Sequence, residues 1–345
     1  MEVYAKLFLS NQKWIKPTLL FILMACPFVQ GCDKTANAEK GANKSMETYH
    51  IGRFSFGIPK EMKLMSRSHK LREEEINEIM WPAEISHERA RETEWNKFMS
   101  KIKTLAPPKG KDSVIIRMRD ISGVGKWAKA VFYYDYFGRP RTATWALLLD
   151  AGPVGVWIKD NPPGLVEDEN KTNNAINNIS NIGKSYHLMD SISQKPNSDW
   201  FYLKYGAINL PYLWQESSDV RFEEHPLNLT LKIRMNETYS VEKAGLIEKT
   251  IDAIATGYAS GVQIKKIRSH KRTVADLNGE EEVLRMTAKD EDTLSFAWEF
   301  NGKVNSGESP RIVITMDTLN SNLDEKLKIW DAVLDSMKPM FERKK

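Results

Sequence analysis

The segment that most restricts what this chain can fold into is the run from Leu294 to Phe300. There Leu294, Phe296, Trp298 and Phe300 alternate with Ser295, Ala297 and Glu299. A period of two, with bulky apolar residues on one side, describes a half-buried antiparallel strand and fits no helix. Such a strand needs partners, and its neighbours supply them. Arg311-Ile-Val-Ile-Thr-Met316 reads as another strand, Val262, Ile264 and Ile267 lead into a third, and the segment from Arg272 to Met286 contains Asn278-Gly279, a pair suited to a tight reversal. A further reversal is predicted at Lys289 to Asp292. Helices close the unit at both ends. Leu246, Ile247, Ile251, Ile254 and Ala255 fall at helical spacing with Ser240 available as a cap, and Leu323, Leu327, Trp330, Leu334 and Met337 follow Asn320-Ser321-Asn322 and stop before Pro339.

The same plan is legible earlier in the chain. Tyr49 to Pro59 reads as a strand with Phe54, Phe56 and Ile58 on one side, and Phe201 to Pro211 repeats its form with Ile208 and Leu210 before the proline. Lys70 to Leu105 is charged and helical in composition, interrupted at Pro82. Strands are predicted at Ser113 to Met118, Trp127 to Tyr136, Thr142 to Asp150 and Val154 to Ile158, and a helix rich in asparagine from Asn170 to Met189. The second half adds a strand pair between Val220 and Met235. These elements predict an α+β chain of two similar modules, each an antiparallel sheet packed with helices, with a groove between them. The expected division is 47–195 for the N-terminal domain and 196–345 for the C-terminal one, an arrangement that 345 residues can support.

The first 46 residues follow different rules. Lys13 and Lys16 precede an apolar run from Pro17 to Val29 that is too short to span a bilayer and has the length of a secretory signal. The segment 1–31 therefore reads as a signal peptide; Val29-Gln30-Gly31-Cys32 resembles a bacterial lipoprotein signal cleaved before Cys32, with ordinary signal cleavage or an uncleaved anchor as the alternatives, and 32–46 reads as a polar, flexible tether. Cys32 is the only cysteine outside that signal, so it can form no internal disulfide in an oxidising compartment, and lipidation would occupy its thiol. Asp33 after it resembles the signal that retains lipoproteins at the inner membrane. The predicted location is the periplasm, with the chain anchored to the inner membrane. The formal net charge is +4, of which the first 31 residues carry +2, so the remainder is close to neutral and implies no nucleic-acid partner.

Catalytic patterns are wanting. Gly123-Val-Gly125-Lys-Trp-Ala128 fits a dinucleotide fingerprint only nominally, because a strand follows where a helix must open under the phosphates. There is no phosphate-cradling Gly-x-x-x-x-Gly-Lys-Ser/Thr loop and no Gly-x-Ser-x-Gly elbow. The six histidines are scattered without metal-ligand spacing, so neither a metal nor a cofactor is expected. The acidic runs at Glu73 to Glu75, Glu280 to Glu282 and Asp290 to Asp292 read first as solvated faces or turns. Lys265 to Arg272 is the densest basic stretch; it suits an acidic partner surface, anionic lipid headgroups, or the solvent face or guarded edge of a sheet.

Ile51-Gly-Arg-Phe-Ser-Phe-Gly-Ile-Pro59, Lys271-Arg-Thr-Val-Ala-Asp-Leu-Asn-Gly-Glu-Glu281, Phe296-Ala-Trp298 and Trp330-Asp-Ala-Val-Leu-Asp-Ser336 together resemble a known family. It is the family of immunity proteins that protect type VI secretion bacteria against a phospholipase effector of the fourth antibacterial lipase class. The resemblance covers most of the chain after residue 47 and is strongest from Gly245, with Asp276 standing where the family often has glycine. It implies a non-enzymatic, exported protein that grips its cognate lipase between two domains and blocks lipid access. Tyr136, Phe137, Arg139 and Arg141 in the first half, and Arg268, Lys271 and Arg272 in the second, are the candidate partner contacts by composition and expected exposure. Rival readings are a periplasmic lipoprotein with an envelope scaffolding or sensing role, and an enzyme of unfamiliar chemistry.

Overall fold

Two buried glutamates turn a stretch of helical composition into sheet. In the computed structural model of the chain, which describes residues 46–135, 141–160, 164–189, 199–259, 261–289 and 291–342, the segment from Lys70 to Met80 forms part of a β-hairpin. Glu74, Ile76 and Glu78 alternate into the interior, and Arg72 and Glu73 take positive φ of 56° and 72° at the reversal. The carboxylates are placed by partners: Asn178 donates to Glu74 at 2.6 Å, while the Tyr186 hydroxyl and the backbone N–H groups of Lys204 and Tyr205 donate to Glu78 at 2.8 to 3.2 Å. The expected helix is thus confined to the part beyond Pro82.

In chain order the strands are β1 (Met46–Ile51), β2 (Phe54–Pro59), β3 (Lys63–Leu71), β4 (Glu74–Met80), β5 (Ile115–Asp120), β6 (Ala128–Tyr133), β7 (Thr142–Asp150), β8 (Val154–Lys159), β9 (Gly164–Leu165), β10 (Tyr186–Leu188), β11 (Trp200–Tyr202), β12 (Gly206–Asn209), β13 (Glu216–Glu223), β14 (Thr230–Asn236), β15 (Gln263–Val274), β16 (Leu277–Ala288), β17 (Glu291–Phe300), β18 (Arg311–Leu319) and β19 (Lys338–Pro339). The described helices are α1 (His87–Lys103), α2 (Glu169–Lys184), α3 (Leu246–Ala259) and α4 (Leu323–Ser336). Tyr49 to Pro59, expected as one strand, is a hairpin folded at Gly52-Arg53. The asparagine-rich helix stops at Lys184 so that β10 can pair, and α3 opens at Gly245 rather than at Ser240.

One antiparallel sheet dominates, with the order β15-β16-β17-β18-β14-β13-β3-β4-β8-β7-β6-β5 and β9 beside β7. The two parts of the chain meet inside it, where β3 pairs with β13 from Leu71↔Glu216 to Lys63↔Glu223. Two three-stranded sheets complete the layers, β1-β2-β19 and β10-β12-β11. In each, the second strand of a hairpin lies between its own first strand and a short strand that follows a helix. The exchange is reciprocal: β2 pairs with the strand after α4, and β12 with the strand after α2.

Two apolar cores result. One gathers Phe54, Phe56, Ile58, Phe222, Phe296, Trp298, Trp330 and Leu334; the other gathers Ile76, Trp145, Leu147, Ile158, Ile179, Phe201 and Ile208. So β1 and β2 fill the core built mostly by the second half, and β11 and β12 that of the first. Directly paired residues share a face, and the chains Phe296↔Met316↔Leu231↔Phe222 and His69↔Ile76↔Ile158↔Leu147 place both cores on the same side of the large sheet. On the opposite side α1 covers β6 to β8. Ser86 caps it by accepting from Arg89 N–H at 3.3 Å, and its Trp95 stacks on Trp157 with ring centroids 6.1 Å apart. Each fully buried tryptophan, such as Trp298 or Trp330, removes about 200 Å² from water, worth roughly 5 kcal/mol before entropy is counted.

The β15–β16 reversal falls at Ala275-Asp276, with φ of 50° and 60°, and not at Asn278-Gly279. Gly279 sits inside β16, where a Cβ would come within 2.6 Å of both the Trp298 ring and the Glu299 carbonyl; closeness of packing, not turning, requires that glycine. Asp276 tolerates the left-handed region through its short polar side chain, whereas Ala275 gains nothing there. Ala275→Gly should therefore stabilise the protein by about 1 kcal/mol, seen as a higher urea midpoint with unchanged m.

Candidate functional site at the seam of the sheet

Where the hairpins β1–β2 and β11–β12 approach each other, Gly52, at φ 59°, exchanges backbone hydrogen bonds with Tyr202 at 2.9 and 2.6 Å. This crossing sends the next side chain, Arg53, into the interior, where it is 3% exposed. Its Nε and Nη2 donate to the two oxygens of Glu216 at 2.8 and 2.6 Å, Nη2 also to the Leu210 carbonyl at 3.2 Å, and Nη1 to the Trp200 carbonyl at 3.4 Å. A planar guanidinium meeting a carboxylate two-fold is the strongest geometry such a pair can take. Arg53 thus ties together β2, the β11–β12 hairpin and the start of β13.

Beside it His69 Nδ1 lies 3.0 Å from Ser218 Oγ. A histidine against a serine has the composition of a base and nucleophile, but its surroundings forbid that chemistry. Both residues are buried, and the cavity at the seam, lined by Gly52, Arg53, Phe54, Phe201, Glu216 and Ser218 among others, holds about 20 Å³, room for one water. Burial, with Arg67 adding to it, pushes the His69 imidazole down to about 3, so at neutral pH it is uncharged and a poor base. Its contribution to stability is complete above the ordinary histidine pKa and declines as pH falls toward 3, because only the unfolded chain binds the proton in that window. Glu78, held by Tyr186 and the Lys204–Tyr205 backbone, is shifted upward chiefly by burial and serves the same joint. The seam is a fastening. The expected groove is not a break in the sheet, which runs hydrogen-bonded from β13 to β3 across the junction.

The candidate partner contacts fall in separate places. Arg268 and Arg272 face α4: Arg268 Nη1 donates to Asp331 at 2.7 Å and Glu281 at 3.0 Å, and Arg272 to Asp331, Asp335 and Glu281 at 2.6, 2.7 and 3.0 Å. Glu281 is fully buried and also accepts from Trp330 Nε1 at 3.0 Å. These arginines hold the edge hairpin to the helix. Lys271, on the other face of β15, is exposed. Arg141 is exposed and pairs with Glu167 at 2.9 Å, some distance along the chain from the other group. Tyr136, Phe137, Arg139 and Cys32 lie outside the described residues. Among the described residues no group of His, Cys, Asp and Glu is placed to hold a metal, and no helix is long and apolar enough to cross a membrane. Sequence reasoning missed Arg53 and Glu216; the signal was Gly-Arg directly before an alternating strand, a pair that a turn at the start of a strand explains.

The result is a wide antiparallel sheet roofed on one side by two small sheets and two helices and closed at its seam. Residues 202–340 match the family described as Tle cognate immunity protein 4 C-terminal domain. That is the family which the sequence resembles, and the match falls in the part of the chain that includes its strongest stretch from Gly245. The fold extends the likeness to most of the chain. It is similar to the apo structure of the immunity protein TplEi of the type VI secretion system from Pseudomonas aeruginosa, with a TM-score of 0.67 at 18% identity over 87% of this chain and 99% of that one. The Tle4–Tli4 complex gives 0.67 at 17% identity over 86% and 98%, and TplEi complexed with an "L" peptide gives 0.63 at 16% over 86% and 99%. No curated protein matches the chain.

Removing one partner of a buried pair strands the other charge, so Arg53→Ala should cost about 3 to 5 kcal/mol in urea unfolding. Arg53→Met combined with Glu216→Leu should recover much of that loss, and a double variant as unstable as the single one would assign the effect to something other than the stranded carboxylate.

Proposed function

We propose that the chain is an immunity protein that binds a cognate type VI secretion phospholipase effector in the periplasm and inhibits it without catalysis of its own. The observation that carries this is the match of residues 202–340 to the C-terminal domain of Tle cognate immunity protein 4. It is supported by a fold shared along 86% of the chain with an immunity protein solved together with its effector. The protein grips the effector across the junction of its two halves and blocks the path of lipid to the active site. Arg141 and Lys271, both exposed, remain candidate contacts, together with Tyr136, Phe137 and Arg139, whereas Arg268 and Arg272 act first on their own fold. Inhibition of this kind needs affinity, which comes from a few desolvated anchors rather than from area.

A lipid on Cys32 would hold the inhibitor at the membrane that the effector attacks. Anchoring raises the local concentration of the inhibitor without adding contacts.

The test of inhibition uses a lipase from a reading frame neighbouring this chain's own, identified by a serine-esterase motif and purified separately, acting on phospholipid vesicles. An equimolar amount of the mature protein should cut hydrolysis at least tenfold; undiminished hydrolysis at tenfold excess removes the reading. For the anchor, Cys32→Ser should move the protein from the membrane fraction to the soluble periplasmic fraction, and equal partition of variant and wild type removes that claim.

A further inference from the structure

Three connections gather at one end of the large sheet, next to the seam. The segment 210–215 joins β12 to β13, and its backbone is fixed from the first half: Arg53 and Arg72 donate to the carbonyls of Leu210 and Pro211 at 3.2 Å each, and Glu73 N–H to that of Gln215 at 3.2 Å. Beside it run 237–245, between β14 and α3, and 301–310, between β17 and β18. Thr238 and Val304 form a parallel bridge, Asn305 N–H donates to the Thr238 carbonyl at 3.0 Å, and the Asn301 amide donates to the carbonyls of Glu242 and Ala244 at 3.1 and 3.3 Å. The Tyr212 hydroxyl donates to Glu237 at 2.8 Å, and its ring lies so near Gly307 that a Cβ there would overlap it. Loops cross-linked this closely are built surfaces.

They nevertheless hold apolar side chains in water. Leu213 is 63% exposed, Tyr239 61%, Val304 48%, Val241 44% and Trp214 43%. A single exposed leucine calls for no explanation, but five large apolar residues on three interlocked loops serve no purpose in folding.

We propose that this loop end is the surface that receives the effector, and that it covers an apolar, lipid-facing surface of the lipase; the inference rests on the immunity reading above. Charge and area select that occupant. The three loops carry Glu237, Glu242 and Glu308 against Lys243 and Lys303, and Lys249 and Arg311 pair with Glu242 and Glu299 beside them, so this end is close to neutral and has no cationic excess to draw it to an anionic bilayer. Five side chains about half exposed offer on the order of 400 Å², so two copies meeting on this patch would bury only about 800 Å² in total, short of a stable dimer. The same patch is the right size for the apolar centre of a larger interface of about 800 Å² per partner. An enzyme that draws lipid out of a bilayer must itself expose apolar surface around its site, and an apolar cover there excludes lipid directly. Trp214 and Tyr239 are residue types that dominate such centres, and fixing them on pinned loops lowers the ordering cost of binding.

Affinity for the lipase used in the inhibition test, followed by calorimetric titration, decides the matter. Trp214→Ala should weaken binding at least 30-fold, and the triple variant Leu213→Ser, Trp214→Ala, Tyr239→Ala at least 1,000-fold, with unfolding midpoints unchanged. Met65→Ala with Met118→Ala, which removes apolar residues as exposed as these but elsewhere, should stay within twofold of wild type. If wild type binds and the triple variant binds equally well, the surface assignment fails while the immunity reading stands; if wild type does not bind, the immunity reading itself fails and takes this inference with it. Loss of a wild-type dimer in sedimentation, or of binding to vesicles of phosphatidylethanolamine and phosphatidylglycerol, in the triple variant would give the patch to a second copy or to the membrane and overturn the proposal.

Discussion

The pairing of β3 with β13 is the constraint on which the rest depends. It makes the sheet continuous, and continuity fixes where the opening hairpin of each half can go. Each hairpin then completes the core assembled largely by the other half, and the two hairpins touch at Gly52 and Tyr202. A crossing of two backbones leaves little room for a large apolar side chain, and the position is taken by an arginine whose charge must be met. Glu216 meets it from the first residue of β13, so the strand that joins the halves also neutralises the crossing. Neither core can be completed without the other.

Buried carboxylates recur at the joints of this fold rather than in the centres of its cores. Glu216 holds the crossing, Glu78 the β11–β12 turn, and Glu281 the edge hairpin against α4. Glu216 accepts two hydrogen bonds from Arg53, and Glu78 and Glu281 each accept from groups on different elements, which offsets desolvation and gives the joint one geometry instead of a range of sliding ones. An apolar contact at the same places would be of similar strength and less directional. Glu74 and Glu281 lie in runs that read as solvated, yet the first is held by Asn178 from a distant helix and the second by Arg268, Arg272 and Trp330.

What the sequence revealed was local. The alternation at Leu294 to Phe300, the helices α3 and α4 and most strands of the first half follow from spacing, since burial on one side imposes a period of two or of 3.6. The hairpin at Arg72-Glu73 was hidden by charge, and the Ala275-Asp276 turn by Asn278-Gly279, a better turn pair that packing under Trp298 had already claimed. The reciprocal exchange could not be read at all: which hairpin fills which core is a choice between equivalent strands, decided only by long-range pairing. At the site, the basic stretch drew attention, yet Arg268 and Arg272 are consumed by Asp331, Asp335 and Glu281. The informative signal was Pro211-Tyr-Leu-Trp214, an aromatic run just past a strand end, where a folding role for the side chains is weakest.

This architecture also bears on how a partner is met. Moving one half relative to the other would break the β3–β13 ladder, the Gly52–Tyr202 bridge and the Arg53–Glu216 pair together, a cost well above the few kcal/mol that a binding partner commonly spends on rearranging its target. Recognition must therefore use surfaces that exist before contact. The loops beside the seam meet that requirement, since their backbones are fastened to both halves by Arg53, Arg72 and the Thr238–Val304 bridge while their apolar side chains face outward. A rigid frame that keeps such residues in water loses some solubility and gains an interface whose ordering is already done.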